Sequence, residues 1–372
     1  MSMMGALTAS ARWIPATILA SCLFAAPVAA ATNRLLAADE ALPHLTMIDT
    51  DSNRIEGMMP VDGPVSLMVQ SSKTGLVALS YRDRPAVGIR RIGSGEDIDT
   101  VRLDAPATRL LLSPDETTLA IICENGQILF GRLAEPGTTH AVTGLSKVSD
   151  VAFGHSGEIA LIAVDGRAGL VAFDLRRFRQ TGVIRDQGDS LSGRKRLALS
   201  ADHRRALEMQ GDGRRLVSYD LVHGRVEARI DLGEPARGLY LLGDYAALPL
   251  DGGKVVALRP IDALKEEVRL AVPAAVSGFV PVFGGSMGAF VSESGRRVFV
   301  VDTMTPRVIA DVALPARPAG VSTGRGSLAV YVALPDAGKV AVIGVVPHEV
   351  TMIETGSRRP AALAGAGDGQ CR

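Results

Sequence analysis

Short apolar runs alternate with polar turns along almost the whole chain. In one clear copy, the run within Ala105–Asp115 ends in a Ser-Pro-Asp turn, and further apolar runs follow at Leu119–Ile122 and Gln127–Phe130. Apolar runs of about 4–8 residues bounded by turn residues are typical of buried β-strands. The pattern therefore predicts an all-β protein built from short strands.

The same unit recurs at a nearly constant interval. Pro64 and Pro106 occupy corresponding turns of two successive units and are 42 residues apart. Pro318 and Pro360 are separated by the same interval. The first strand of the unit recurs at residues 64–69, 148–153, 196–200, 235–241, 275–280 and 318–322. A period of about 40–45 residues with four short strands is typical of one blade of a β-propeller. We therefore predict a single β-propeller domain over residues 32–372.

The two ends of the chain decide the number of blades. The runs at Arg34–Ala38, His44–Asp49 and Arg54–Val61 correspond to second, third and fourth strands, so this unit lacks a first strand. The missing first-strand pattern appears at Arg359–Ala364. A blade made from both ends would close the ring and remove its exposed sheet edges. The sequence thus favours eight blades, and the alternative is seven blades with a loose C-terminal tail.

Two segments match a known repeat pattern. Residues 34–55 contain Arg-Leu-Leu-Ala-Ala followed by Leu-Thr-Met-Ile-Asp-Thr-Asp-Ser-Asn-Arg-Ile, and Leu112–Asp115 reads Leu-Ser-Pro-Asp. In these segments the chain resembles the bacterial YVTN-type, WD40-like propeller repeats. Within that superfamily an eight-bladed ring is similar to the haem d1 domain of cytochrome cd1 nitrite reductase and its maturation relative. The resemblance implies a fold and not an activity, because one fold hosts many functions.

The first 31 residues have the pattern of an export signal. Arg12 supplies the positive start, Trp13–Phe24 is apolar, and small residues at 27–31 allow cleavage after Ala30 or Ala31. We therefore expect residues 1–31 to be a signal peptide and the protein to be periplasmic or secreted. The alternative is a lipid anchor at Cys22, which ends a lipobox-like sequence. No apolar run is long enough for a transmembrane helix.

Charge and cysteine content exclude several classes of protein. The 40 Lys and Arg residues balance 40 Asp and Glu, which argues against a nucleic-acid binder because such proteins need a basic surplus. Three cysteines are too few for a disulfide framework or a four-thiolate zinc site. After signal removal, Cys123 and Cys371 could pair in an oxidising compartment. The alternative is that Cys123 is a buried free thiol.

Motifs for catalysis and cofactor attachment are missing from the sequence. It contains no Cys-x-x-Cys-His, Gly-x-Ser-x-Gly or P-loop sequence, and its only Trp is Trp13. The histidines fall singly, although His155 and His203 lie in the same turn of two successive units. Those two are either a metal-binding pair or solvated turn residues. The sequence therefore identifies no catalytic residue and no cofactor, and it favours a protein that is not an enzyme.

Basic residues recur where the chain enters the first strand of successive blades. These segments share one face of a propeller, so their side chains should converge at the mouth of its channel. The candidate anion-binding residues are Arg109, Lys147, Arg194, Lys195, Arg196, Arg237, Arg317 and Arg359. Guanidinium groups bind carboxylates and phosphates through paired hydrogen bonds, and a narrow opening focuses their field. The alternative is a solvated surface on which acids such as Glu40 and Asp251 balance these charges.

Three functions remain in competition. The sequence favours an exported, non-catalytic module that binds a protein partner or an anionic small ligand, as an accessory to a redox or cofactor-maturation system. The resemblance to the haem d1 propeller implies a tetrapyrrole binder or maturation factor that would use the basic mouth and a histidine such as His44. The third function is a propeller enzyme, such as a lactonase or a dehydrogenase subunit.

Overall fold

Thirty-two β-strands form eight four-stranded antiparallel sheets arranged as a ring of eight blades. The structure is a computed structural model that describes residues 33–189, 191–345 and 348–365. None of the helices in these ranges has the length and apolar character needed to cross a membrane. The prediction of an eight-bladed propeller is therefore confirmed, and the seven-bladed alternative is wrong.

The strands follow the repeat along the chain. The first blade begins with β1 (Arg34–Asp39), β2 (His44–Asp49) and β3 (Arg54–Pro60). The second contains β4 (Val65–Ser71), β5 (Leu76–Tyr81), β6 (Ala86–Arg91) and β7 (Asp97–Arg102). The third contains β8 (Ala107–Leu112), β9 (Thr118–Cys123), β10 (Ile128–Arg132) and β11 (His140–Ala141). The fourth contains β12 (Val148–Phe153), β13 (Ile159–Val164), β14 (Leu170–Asp174) and β15 (Arg179–Ile184).

The second half of the ring repeats this order. The fifth blade contains β16 (Arg196–Leu199), β17 (Arg205–Gln210), β18 (Arg215–Asp220) and β19 (Arg225–Asp231). The sixth contains β20 (Tyr240–Leu242), β21 (Tyr245–Leu250), β22 (Val255–Pro260) and β23 (Val268–Ala271). The seventh contains β24 (Gly278–Val282), β25 (Met287–Ser292), β26 (Arg297–Asp302) and β27 (Arg307–Ala313). The eighth contains β28 (Gly320–Thr323), β29 (Ala329–Leu334), β30 (Lys339–Gly344) and β31 (Val350–Glu354), and β32 (Pro360–Gly365) follows it.

Four short 3₁₀ turns complete the regular structure of the described residues. They lie between strands of the sixth, seventh and eighth blades, at Asp251–Gly253, Phe283–Gly285, Arg325–Ser327 and Pro335–Ala337.

The first blade is built from both ends of the described chain. Its strand order is β3-β2-β1-β32, and β32 pairs antiparallel with β1 so that Leu35 lies opposite Gly365 and Leu36 opposite Ala364. We call this sheet the closing blade. The strand that the N-terminal unit lacks in sequence is therefore supplied by β32, as predicted.

Burial along the strands explains why the sequence pattern is so clear. The second strands β5 and β9 are buried at every position, because a neighbouring blade packs against each face of the sheet. The outer strand β19 instead alternates between exposed and half-buried residues, because solvent covers one of its sides. Runs without polar residues therefore mark middle strands, and alternating runs mark outer strands.

The hydrophobic core lies between the blades. Leu36 and Met59 of the closing blade pack with Met68 and Leu79 of the second blade in one cluster of buried residues. On its other side, the closing blade packs Leu35 and Ile48 against Tyr331 and Val342 of the eighth blade. The apolar contacts therefore continue around the ring across the closing blade.

A buried carboxylate fastens the closing blade. The side chain of Asp39 accepts hydrogen bonds from the Ser357 hydroxyl and from the backbone N–H groups of Arg359, Ala41 and Leu42. Asp39 is only 1% exposed. Burial raises the pKa of this carboxyl, but the hydrogen bonds outweigh burial and lower the pKa to about 2. We call this arrangement the closing clasp, since it joins β1 to the segment that leads into β32.

The first strand of every blade lies innermost, around the central channel. These inner strands are β4, β8, β12, β16, β20, β24, β28 and β32. One face of the ring carries the loops that lead into the inner strands and the turns between second and third strands. We call it the arginine face. The other, the histidine face, carries the turns between first and second strands and those between third and fourth strands.

Candidate functional site

Four neighbouring inner strands bring charged side chains together at the arginine face. Near the start of β8, the Arg109 guanidinium forms an ion pair with Asp150, which lies near the start of β12. The second oxygen of Asp150 accepts a hydrogen bond of 3.0 Å from the backbone N–H of Leu197 in β16. The Asp150 side chain is 2% exposed and that of Arg109 14%. This buried carboxylate therefore ties three blades together and holds one arginine in place.

Arg196 adds a second guanidinium to this group. Burial lowers the pKa of Arg196, and the positive charges of Arg109 and Arg194 lower it further. The negative charge of Asp150 acts in the opposite direction and raises this pKa. Among the residues that the structure describes, none forms a hydrogen bond or an ion pair with the Arg196 side chain. Asp150 thus lies near two half-buried guanidinium groups and is paired with only one of them, that of Arg109. We call Arg109, Asp150 and Arg196 the channel cluster, which carries one surplus positive charge.

An aromatic side chain lies beside the channel cluster. Tyr240 begins the inner strand β20 and is close enough to Arg196 to raise its pKa. Its ring stacks on Phe279 of the next inner strand, with the centroids 4.9 Å apart. An aromatic ring that packs against the core between two blades therefore lies near the Arg196 guanidinium.

Lys195 is not at the mouth of the channel. Its side chain is fully buried, where the ammonium group lies 2.9 Å from a Glu208 carboxylate oxygen and donates a hydrogen bond of 2.6 Å to the carbonyl of Arg167. Glu208 also accepts hydrogen bonds of 2.6 Å from Gln210 and from the Tyr219 hydroxyl. Lys195 therefore anchors the loop that leads into β16, and its charge is used inside the protein.

Burial of Tyr219 next to Glu208 determines the protonation state of the Tyr219 hydroxyl. Burial raises the pKa of Tyr219 far above its ordinary value, and the charge of Glu208 adds to this effect. The hydroxyl therefore stays protonated and remains a hydrogen-bond donor to the carboxylate.

The other predicted anion-binding residues spread over the arginine face. Arg194, Arg237 and Lys147 are exposed. Two more arginines are paired with acids. Arg317 lies 3.2 Å from Glu293, and Arg359 lies 3.1 Å from Glu40. Of the eight predicted residues, the structure thus brings together Arg109 and Arg196, with Arg194 close by.

Sequence reasoning missed the two acids that organise this region. Asp150 is the one charged residue of strand β12. Glu208 stands in strand β17, in which all residues from Ala206 to Gln210 are buried. A buried strand that contains a single carboxylate is the signal that could have revealed both, since buried charges require partners.

On the histidine face, His155 and His203 lie side by side. Their ring centroids are 5.0 Å apart and the ring planes make an angle of 58°. Each lies in the turn between the first and second strands of its blade. Within the described ranges, no three His, Cys, Asp or Glu side chains are grouped so that they could hold one metal ion.

Cys123 is a buried thiol. It is 2% exposed at the end of β9, and burial together with the charge of Asp104 raises its pKa to about 11. The thiol is therefore protonated and unreactive at neutral pH. Cys371 lies outside the described residues, as do Cys22 and the expected signal peptide, so the disulfide, the lipid anchor and signal cleavage stay predictions.

The chain is similar to several solved propellers. No protein-family model and no curated protein matches the sequence. The dihydro-heme d1 dehydrogenase NirN in complex with DHE is 14% identical, with a TM-score of 0.69 over 86% of this chain and 72% of that one. Apo AztD from Citrobacter koseri is 13% identical, with a TM-score of 0.65 over 89% and 97% of the two chains. BamB from Moraxella catarrhalis is 15% identical, with a TM-score of 0.63 over 83% and 93%.

At these identities the similarities establish the β-propeller fold and nothing finer. The predicted likeness to propellers of the haem d1 type is confirmed at that level.

Proposed function

We propose that the chain is an exported, non-catalytic β-propeller that binds an anionic ligand at the arginine-face end of its channel. The observation that carries this proposal is the Arg196 guanidinium, which is partly buried, lies close to Arg109 and Arg194, and has no acidic partner of its own. Like charges brought together at a partly buried site are costly without a counter-charge. An anion bound between Arg196 and Arg194 would supply it.

The chemistry of the site selects carboxylates and phosphates. A guanidinium group presents a planar set of donors that matches the two oxygens of such an anion. Arg109 is already held by Asp150, so it contributes mainly its charge, whereas Arg196 is available for direct hydrogen bonds. The protein around the site strengthens the attraction, because low-dielectric walls focus the field.

Export is supported by the sequence of residues 1–31, which has the pattern of a signal peptide ahead of a propeller domain at 32–372. Intact-mass analysis of the exported protein should give a first residue near Ala31 or Thr32. A mass corresponding to a lipid-modified Cys22 would instead establish a lipoprotein.

A tetrapyrrole carrying carboxylates is a specific candidate for the anion. The NirN structure was determined in complex with DHE. In this chain, Tyr240 offers a ring next to Arg196, which suits a flat macrocycle with acidic substituents. Ligation of its metal by His44 does not fit, because His44 begins β2, two strands outward from the inner strand β32. None of the six histidines lies on an inner strand, so the arginines would carry the recognition. Such a ligand would make the protein an accessory to cofactor maturation.

Titration with defined anions tests the proposal. Binding of haemin, which carries two carboxylates, is measured by absorbance. Binding of citrate and of inorganic phosphate is measured by calorimetry. We expect Arg196→Ala to weaken binding of the recognised anion at least tenfold, because a charge-assisted hydrogen bond contributes about 1.5–3 kcal/mol and about 1.4 kcal/mol is one decade of affinity. Raising the salt concentration should also weaken binding by the wild type.

The matched control is Arg214→Ala, because Arg214 is exposed on the β17–β18 turn of the same blade and arginine face. It should bind like the wild type. Affinity that is indifferent to Arg196→Ala and to salt, or no binding of any of the three anions, would overturn the proposal.

A further inference from the structure

We propose that His155 and His203 form a binding site for a divalent transition-metal ion on the histidine face, with zinc and copper as the metals that fit best. The observation is the approach of two imidazole rings from adjacent blades to a centroid distance of 5.0 Å, with the ring planes inclined by 58°. The site lies at the other end of the ring from the channel cluster. It is therefore independent of the proposed function.

The ring separation matches shared metal coordination. In a tetrahedral site the metal–nitrogen bonds are about 2.0–2.1 Å, which places the centroids of two ligating imidazoles roughly 5 Å apart. The two rings of this chain already have that separation, and their inclination differs from parallel stacking.

Both histidines are held on ordered turns. The turn of His155 is closed by a hydrogen bond of 2.8 Å from the backbone N–H of Gly154 to the carbonyl of Ile159. In the next blade, the N–H of Ser200 bonds to the carbonyl of Arg205 at 3.0 Å. A site whose ligands stand on fixed backbone loses little entropy when the metal binds.

The state of His203 suits a metal ligand. Its side chain is half-buried, and its Nδ1 is shielded from solvent without a hydrogen-bond partner in the described structure. A buried nitrogen without a partner costs free energy that a bound ion would recover.

The remaining coordination positions would face solvent. His155 is exposed, and the nearest carboxylate of this segment, Asp202, is engaged by the Ser200 hydroxyl at 2.6 Å and by the N–H of Arg204 at 3.0 Å. Water would therefore complete the coordination shell. Two imidazoles with open positions favour Cu²⁺, Ni²⁺ and Zn²⁺ over Mg²⁺ and Ca²⁺, which prefer oxygen ligands.

Metal titration of the untagged mature protein tests this inference. The protein is stripped with EDTA and dialysed, and Zn²⁺ alone is added in a calorimeter. Cu²⁺ is added separately and followed by EPR, in which nitrogen hyperfine coupling reports imidazole ligands. We expect one Zn²⁺ per chain, and at least tenfold weaker binding for His155→Asn and for His203→Asn. Asparagine is chosen because His203 has a positive φ of 54°, which Asn tolerates.

The control is His223→Asn, because His223 is an exposed histidine on another turn of the histidine face. It should bind Zn²⁺ like the wild type. The proposal is overturned if the wild type binds neither metal at millimolar concentration, or if both site variants bind Zn²⁺ as tightly as the wild type. Should a variant fail to fold, absence of nitrogen coupling in the Cu²⁺ spectrum of the wild type would decide against the site.

Discussion

Replacing Asp39 by Asn should weaken the ring where its two ends meet. The carboxylate accepts hydrogen bonds from Ser357, Arg359, Ala41 and Leu42, so all of its nearest partners are donors. An amide has one acceptor oxygen, and its NH₂ group would face those donors without a partner. The substitution changes neither the volume of the side chain nor the strands on either side.

The magnitude follows from the pKa of the carboxyl. A pKa of about 2 in the folded protein, against an ordinary value of 3.8, corresponds to about 2.5 kcal/mol at about 1.36 kcal/mol per pH unit. Because the folded pKa is the lower one, this stabilisation is present above about pH 4 and disappears as the pH falls toward 2. Asp39→Asn should therefore lower the free energy of unfolding by about 2–4 kcal/mol at pH 7, and by much less at pH 2.

Urea denaturation at the two pH values measures this difference. The control is Asp83→Asn, because Asp83 is an exposed carboxylate on the corresponding turn of the second blade and bonds only to the adjacent Arg84. Exposed pairs contribute little, so this variant should lose less than about 0.5 kcal/mol. Equal losses in the two variants, or a loss in Asp39→Asn that is the same at pH 7 and pH 2, would refute the reasoning.

Two further predictions concern stability. Deletion of the chain from Arg359 onward should lower the melting temperature measured by circular dichroism, because it uncovers the edge of β1. Deletion of residues 366–372 alone leaves β32 in place and serves as the control. Equal melting temperatures of the two truncated proteins would contradict the role of β32. Lys195→Met should cost about 3–5 kcal/mol in urea denaturation, because it leaves Glu208 buried without its cation, and Lys195→Met combined with Glu208→Gln should recover part of that loss. If Lys195→Met is as stable as the exposed-site variant Arg194→Met, the buried pair has no such role.

The fold was predictable from the sequence because the same strand pairing repeats along the chain. Each of the seven blades β4–β31 takes its four strands from one continuous segment, so the repeat is visible as a period. The closing blade was predictable as well, since the first-strand pattern that the N-terminal unit lacks in sequence recurs close to the observed strand Pro360–Gly365. Position in the repeat therefore carries enough information to assign each run to a strand.

The candidate site was less predictable because it depends on contacts between blades. Arg109 and Asp150 both follow irregularities in their strand pairing, at Ala107/Arg109 and at Val148/Asp150, which change the direction of the side chains that follow. The two residues are 41 positions apart, about one repeat, but the repeat does not show that the side chain at this position in one blade pairs with that in the next. The burial of Lys195 was not predictable either, because it depends on a partner within the same blade, Glu208 on the neighbouring strand β17.

The pairing of β32 with β1 makes the order of the blades cyclic. Gly365 lies opposite Leu35, so a short linker at this point would turn the two strands into a hairpin like the β4–β5 pair of the second blade. The ring would then have no preferred starting blade, and the loop between any two blades would be an equivalent place for new chain ends. Packing between neighbours determines which blade follows which around the channel. This packing does not determine at which blade the N- and C-termini must lie.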